Sequence, residues 1–455
     1  MATRIPEEAR GAPPGGDGEP PRPVTYGFPA PLWRALAVRP LPGPFRDRAW
    51  RSPIRGPWLT SVFGLVLLIG LPFVIVTGLL SFIAYQPQFP GNAFPARVGP
   101  LHLPYVAWPT HPAWLYRLNQ GVHVGLGLAL IPVVLAKLWS VIPKLFTWPP
   151  VRSLAHLVER ASLLLLVGSV LFEFVTGVLN IQYDYVFGFD FYTAHYFGAW
   201  IFIGAFVVHV AIKFPTMRRS LRTRRLRDEL RTDVAHTVPE PLDVHGLVAV
   251  DPAPPTASRR GVLAAVAGGS LLVTLVTVGA RIGGAFRGTA VLDARGRAAG
   301  SGANHFPVNR TATAAQVTAA DTGTDYRLTL TGPTPVRLSR AQLLAMPQYT
   351  VHLPIACVEG WATGQTWTGV RLRDLALVAG VPSPRSAQVR SLEKAGAFAR
   401  ATLNGNQVTD SHALLALKVN GEDLALDHGY PARVIVPAVP GVHNTKWVSA
   451  IEFTA

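Results

Sequence analysis

Four histidines lie within long apolar runs: His123, His156, His195 and His209. Ionisable side chains inside such runs are costly to bury in lipid and mark functional positions. His195 and His209 are 14 residues apart. On an α-helix that spacing falls about 40° short of four turns and spans about 21 Å, so both face one side at two depths. His123 matches His195 in depth, near one end of the runs, and His156 matches His209 near the other. Two imidazoles projecting from neighbouring helices at one level can clamp a haem iron axially. Two such levels would carry electrons across a bilayer. Gly121, Gly125, Gly127, Gly198 and Gly204 either leave room for flat macrocycles or simply let helices approach closely. Glu173 either relays protons at a quinone site or hydrogen-bonds within the bundle.

The second group of reactive residues lies near the C-terminus. The chain has one cysteine, Cys357, which excludes an internal disulfide. A lone cysteine is either a small buried hydrophobe or a reactive ligand. It sits in Leu353-Pro-Ile-Ala-Cys-Val-Glu-Gly-Trp361, directly after a predicted strand, and Trp367-Thr-Gly-Val-Arg-Leu-Arg-Asp-Leu375 follows. Further on come His428-Gly-Tyr-Pro-Ala-Arg433 and Gly441-Val-His-Asn-Thr-Lys-Trp447. Arg and Lys complement a phosphate, and backbone amides in a Gly-bounded turn add donors.

The elements that must position these groups are legible from composition. Only 15% of the 455 residues are charged and the hydrophobic share is 49%, against about 25% charged in a typical soluble protein. Five runs are long enough to cross a hydrocarbon core as helices: about 58–84, 118–141, 154–181, 192–214 and 261–280. The net charge of +16 resides in short stretches beside these runs. With no recognised binding module present, this is topology control rather than a nucleic-acid surface. Arg46, Arg48, Arg51 and Arg55 precede the first run, and Lys213 through Arg231 follow the fourth. The link between the third and fourth carries Asp184 and Asp190 but no Lys or Arg. The positive-inside rule then puts the N-terminus and the 216–258 linker in the cytoplasm and everything after the fifth run outside.

The expected organisation is therefore a disordered cytoplasmic tail over 1–50, without a leading cleavable signal, and a four-helix membrane domain over 51–215. A basic linker spans 216–258, a fifth transmembrane helix 259–283, and an α+β, mainly β, soluble domain 284–455. Ser258-Arg259-Arg260-Gly261-Val262-Leu263, at the start of the fifth run, resembles a twin-arginine export signal retained as an anchor. It reads equally as two more positive-inside arginines.

The soluble-half blocks, in this order, resemble the sulfite oxidase family of molybdopterin enzymes. The resemblance implies that the Cys357 thiolate ligates molybdenum, a role that suits a soft ligand. It implies that His428 and Arg433 contact the cofactor and that Asn444, Thr445 and Lys446 hold the pterin phosphate. Asn309 and Arg310 fall where the family's first cofactor contacts lie, and Ser391 is a further candidate. Val358-Glu-Gly-Trp361 replaces the arginine-rich segment that follows the cysteine in true sulfite oxidases. It is closer to the methionine-sulfoxide reductase branch, and Glu359 would repel sulfite.

Residues of about 55–220 resemble the di-haem cytochrome b subunits of bacterial formate dehydrogenases and hydrogenases, which also carry two haem ligands about 14 residues apart on one helix. The present first helix lacks the histidine of that family, which leaves the partner of His209 to rest on the depth of His156, with His111 and His102 as alternatives. The implied protein is a molybdenum-cofactor oxidoreductase of the cell membrane with two b haems. It would exchange electrons with quinone or quinol and reduce a small-molecule or protein-bound S-oxide or N-oxide. The same parts also serve oxidation of an external substrate toward quinone. A haem-anchored binding module without catalysis would lack the thiolate or the phosphate-binding cations, and Cys357, Arg433 and Lys446 are all present. Oligomeric state is not legible.

Overall fold

The computed structural model describes residues 43–46, 49–92, 105–147, 154–180, 188–189, 191–243, 246–292, 302–394 and 399–455, except the side chains of Ala155, His156 and Glu159. Most of the expected tail, the link with Asp184 and Asp190, and His102 fall outside these residues.

Among the described residues there are five helices of membrane length. They are α1 (Pro57–Ala84), α2 (Leu115–Val141), α3 (Leu154–Asn180), α4 (Phe191–Leu221) and α5 (Arg259–Ile282). Each begins or ends within a few residues of its apolar run, except that α4 continues past Phe214 into the basic stretch. Charged residues there cost nothing once the helix leaves the hydrocarbon, so hydropathy marks the span and not the helix end. Exposed isoleucine, leucine, valine and phenylalanine cover the outer faces, as in Ile69, Phe73, Val207 and Leu272. Such an apolar surface is what a lipid environment requires.

At the basic end the linker folds back onto the bundle. Glu240 accepts from the backbone amide of Trp58 at 2.9 Å. Arg259 is fully buried and pairs with Glu229 at 3.4 Å and Glu240 at 3.9 Å, while Arg224 meets Glu229 at 2.6 Å. Ser258 caps α5, its hydroxyl accepting from the Gly261 amide at 3.1 Å. The first arginine of the twin pair thus has a structural task in the folded chain.

Among the described residues the soluble domain contains two five-stranded sheets. One has the order β2-β1-β10-β5-β6, with β1 (Arg327–Thr331), β2 (Val336–Ser339), β5 (Ser386–Ser391), β6 (Arg400–Asn404) and β10 (Val448–Thr454). β1 pairs parallel with β10 and the other pairs are antiparallel. The second has the order β3-β4-β7-β8, with β3 (Tyr349–Ala356), β4 (Ala362–Arg371), β7 (Leu414–Val419) and β8 (Glu422–Asp423), and β9 (Arg433–Ile435) also pairs with β7. Short helices at Arg340–Ala345, Leu372–Val378 and Gly405–Thr409 complete it. This is the α+β, mainly β architecture that the strand and turn pattern predicts.

β7 explains how this domain meets the membrane helices. Leu415 and Leu417 point into the core shared with β1, β5 and β10. Leu414 and Ala416 alternate to the opposite face, where Cys357, Trp367 and Ala280 of α5 gather. A strand buried on both faces has little alternation to read. Here the second face is closed partly by the membrane domain. A further cluster of Ala84, Tyr85, Trp108 and Tyr116 with Ala356 and Ala362 spans the two domains.

Candidate active site

Cys357 follows the last residue of β3 and opens the turn to β4. Its amide donates to the carbonyl of Trp361 at 2.9 Å, and the Gly360 amide donates back to the Cys357 carbonyl at 3.0 Å. Gly360 holds φ of +91°, and a Cβ there would lie 2.8 Å from Val124 of α2. Both the backbone and the contact require glycine. The turn is pressed against the bundle: Gln120 Nε2 of α2 donates to the carbonyl of Val358 at 2.6 Å. Cys357 is buried. Tyr85, Tyr116 and Tyr192 all lie within electrostatic reach of its sulfur. Trp361 Nε1 donates to Glu359 Oε2 at 2.9 Å, which fixes that carboxylate within the same turn.

The expected cofactor-contact residues converge nearby. His428 is buried against Phe306, with ring centroids 3.7 Å apart. Burial, then the neighbouring Arg433 charge, push its pKa down to about 3, so it is neutral. Its Nε2 lies 2.7 Å from the Asn304 carbonyl, which can only accept, so Nε2 carries the proton. Arg433, 5% exposed, sits with its guanidinium 5.6 Å from the Trp367 ring centroid and donates to the His428 carbonyl at 3.3 Å. Burial lowers its pKa to about 9.

Lys446 Nζ donates to the carbonyls of Arg310 and Asp427. Burial first, then Arg433, push it down to about 7. Ser391 holds this segment by donating to the Lys446 carbonyl at 2.8 Å. Arg310 pairs with Glu393 at 2.7 Å, while Asn309 is half-buried in the preceding loop. Asn444 Oδ1 accepts from the Val436 amide at 2.9 Å, laying the 441–447 segment along β9.

Among the described residues, Arg433 Nε, Asn444 Nδ2, Thr445 Oγ1 and both ring nitrogens of His443 are buried without hydrogen-bond partners. Five such atoms between residues 433 and 445 are expensive. Arg433 Nε and Asn444 Nδ2 are donors and the Thr445 hydroxyl can donate, which are groups that an anion satisfies. His443 was not singled out from sequence, although it lies within the quoted 441–447 block. Its ring is 5.6 Å from that of Tyr85, and burial lowers its pKa to about 4.

Below the cysteine turn, α1 to α4 enclose a cavity of about 210 Å³ whose lining includes His123, His195 and Val358. The imidazole centroids are 6.3 Å apart and nearly perpendicular. His123 Nδ1 is 3.0 Å from the Val74 carbonyl. His195 Nδ1 is 2.9 Å from Glu173 Oε2 and 3.3 Å from Thr176 Oγ1. Each ring is therefore oriented through Nδ1, and neither Nε2 has a hydrogen-bond partner among the described residues. Gly78 makes room for His123, since a Cβ there would lie 2.8 Å from its Cε1. Gly198, Gly177 and Gly78 touch the pair or its Glu173 support, whereas Gly127 and Gly204 face open space.

At the opposite end a cavity of about 960 Å³ is lined by His209, Lys137, Lys144, Lys213 and residues of the first turns of α3. His156 belongs to those turns, but its side chain lies outside the described residues. His111 is not at this level. It meets Asp410 and His412 of the soluble domain in a candidate metal-ligand group.

Residues 314–455 match the family model described as "Oxidoreductase molybdopterin binding domain". Sulfite oxidase of Arabidopsis thaliana is 30% identical over 165 residues, covering 29% of this chain and 42% of its own. The uncharacterized oxidoreductase YuiH of Bacillus subtilis (strain 168) is 32% identical over 121 residues, covering 26% of this chain and 60% of its own. Among solved structures, the sulfane dehydrogenase SoxCD of Paracoccus pantotrophus is 26% identical, with a TM-score of 0.27, covering 29% of this chain and 38% of that one. The chain thus spans less than two thirds of each of these relatives. The matched part is a molybdopterin-binding oxidoreductase domain, sulfite-oxidase-like, fused to an N-terminal multi-helical membrane domain.

Proposed function

We propose that this chain is a membrane-bound oxidoreductase that couples a quinone-linked, two-haem helix bundle to an extracytoplasmic molybdenum site at Cys357, and that it reduces an S-oxide or N-oxide. The observation that carries the reading is the seating of the cysteine turn on the bundle. Val358, next to the proposed metal ligand, lines the same cavity as His123 and His195.

The residues fit both groups. Cys357 is the soft ligand for molybdenum. Arg433, Asn444, Thr445 and Lys446 offer buried cations and unpartnered donors to the pterin phosphate, and His428, Arg310, Asn309 and Ser391 would contribute further contacts. In the bundle, an imidazole fixed through Nδ1 by a carbonyl or carboxylate, with Nε2 left over, is the arrangement a metal-ligating histidine adopts. His123 and His195 would hold the outer haem, and His209 with His156 the inner one. Bound molybdenum supplies two-electron oxygen-atom exchange, and haem iron supplies one-electron transfer.

The overall reaction balances as one quinol oxidised to quinone, giving two electrons and two protons, and one sulfoxide reduced to sulfide and water, taking both. Glu359, held by Trp361 within the cysteine turn, favours a neutral substrate over sulfite by charge repulsion. Neutral His428 and buried Arg433 keep the pocket wall dry and positively charged. Positive-inside placement of the linker supports a cytoplasmic N-terminus and an extracytoplasmic catalytic domain.

A substrate screen with purified protein, run in both directions with artificial donors and acceptors, tests the proposal. Turnover of S-oxides or N-oxides, with molybdenum and two haems per chain, is the expected result. Protein lacking molybdenum and reducible haem bands would sink it, and preferential oxidation of sulfite would reverse the substrate assignment.

A further inference from the structure

A second set of ligand atoms lies apart from the residues assigned to the cofactors. His111 Nε2 is 2.9 Å from Asp410 Oδ2, and His412 Nδ1 is 3.5 Å from Asp410 Oδ1. All three ligand atoms lie within 4.8 Å of one another. The two imidazole centroids are 5.6 Å apart at 76°. A tetrahedral ion with ligands at about 2.0–2.1 Å sets its donor atoms about 3.3 Å apart, between the two distances, which the two oxygens of Asp410 make separately.

We propose that His111, Asp410 and His412 form a zinc-class divalent cation site that fastens the soluble domain to the membrane domain. The donor set is two imidazoles and one carboxylate, which suits zinc and its neighbours and contains no thiolate of the kind offered by Cys357. The site crosses the domain boundary. His111 lies in the connection between α1 and α2, and Asp410 and His412 follow the helix Gly405–Thr409 of the soluble domain, 299 positions further on for Asp410.

Hydrogen bonds already hold both sides. Trp108 Nε1 donates to the Ala438 carbonyl at 2.7 Å, and Asn406 Nδ2 donates to the Trp108 carbonyl at 2.9 Å. Asp410 Oδ1 accepts from the His412 amide at 2.7 Å, which orients the carboxylate between the rings. Ligands held this way lose little freedom on binding an ion. The carboxylate is 3% exposed, while the histidine side chains are 60% and 48% exposed. An ion can therefore enter from solvent and keep a water as its remaining ligand.

The test uses the full-length protein in detergent, treated with chelator and then dialysed against low micromolar zinc. Metal analysis should find one zinc per chain, lost in both H111A and H412A, with molybdenum content unchanged. Zinc should raise the thermal midpoint of the parent protein and of neither variant, because an ion that binds only the folded state stabilises it. Both histidines are largely exposed, so their removal leaves the core intact. Failure to retain zinc, or equal zinc in parent and variants, would overturn the site. Zinc lost in H412A but kept in H111A would overturn the bridge between domains.

Discussion

Gln120 of α2 donates a 2.6 Å hydrogen bond to the carbonyl of Val358, the residue after Cys357. Its own carbonyl oxygen accepts from Ser81 of α1 at 2.8 Å, so one side chain ties two membrane helices to the cysteine turn. Removing such a bond costs about 1 kcal/mol, roughly a fivefold change in an equilibrium. Gln120→Leu should slow quinol-driven turnover by about that factor while leaving turnover with a soluble artificial donor unchanged. Steady-state rates with the two donors separate the effects, and an equal fall in both would place Gln120 in the active site itself.

The His195–Glu173 contact of 2.9 Å gives a second prediction. Loss of the group that orients a ligating histidine typically weakens metal binding by about 10- to 100-fold. Glu173→Gln should retain haem less tightly, and His195→Ala should remove about half of the haem absorbance. Pyridine haemochrome assays on purified variants measure both. Full haem content in His195→Ala would exclude it as a ligand.

Arg433 is buried with Nε unpartnered. Arg433→Ala should give protein with little molybdenum but a normal visible haem spectrum. Arg433→Lys should not restore it, because lysine lacks the planar fork of donors. Metal analysis alongside the spectrum decides, and molybdenum retention in the alanine variant would contradict the assignment.

Lys446 carries a pH signature. Burial lowers its pKa from 10.5 to about 7 in the folded domain. Between about pH 7 and 10.5 the unfolded chain binds more protons at this site, so stability without cofactor rises with pH across that window. Phosphate needs the charged lysine. On the lysine side, affinity for the pterin phosphate should therefore fall above about pH 7, by up to tenfold per unit, while below about pH 6 the phosphate's own protonation sets the profile. Lys446→Met should bind weakly with a flatter profile, as titrations of cofactor-free protein would show.

Much of this was legible in the sequence because lipid imposes one simple rule. Five apolar runs match the five membrane-length helices among the described residues, and the Cys357, His428 and Gly441 blocks lie within the stretch that matches the molybdopterin-binding family model. His123 and His195 meet as their depths implied. The docking surface was hidden, since Gln120, Val124 and Gly360 have no periodic pattern and acquire meaning only when α2 meets the β3–β4 turn. His111 was misleading for the same reason: its partners Asp410 and His412 are distant in sequence, and nothing local distinguishes it from an outer-loop haem ligand. Glu173 could be read as a proton relay or a bundle hydrogen bond, and its contact with His195 supplies the second of these. His443 was legible as part of a motif but not as a buried imidazole facing Tyr85.

In the proposed scheme, reducing equivalents in the helix bundle reach a substrate at Cys357. The most direct measurement is the visible spectrum of quinol-reduced protein after addition of an S-oxide or N-oxide. The prediction is that reduced haem bands are present in both the parent and Cys357→Ser, and that substrate reoxidises them in the parent alone. Haem that reoxidises equally fast in Cys357→Ser, or the absence of reducible haem bands from the parent protein, would contradict it.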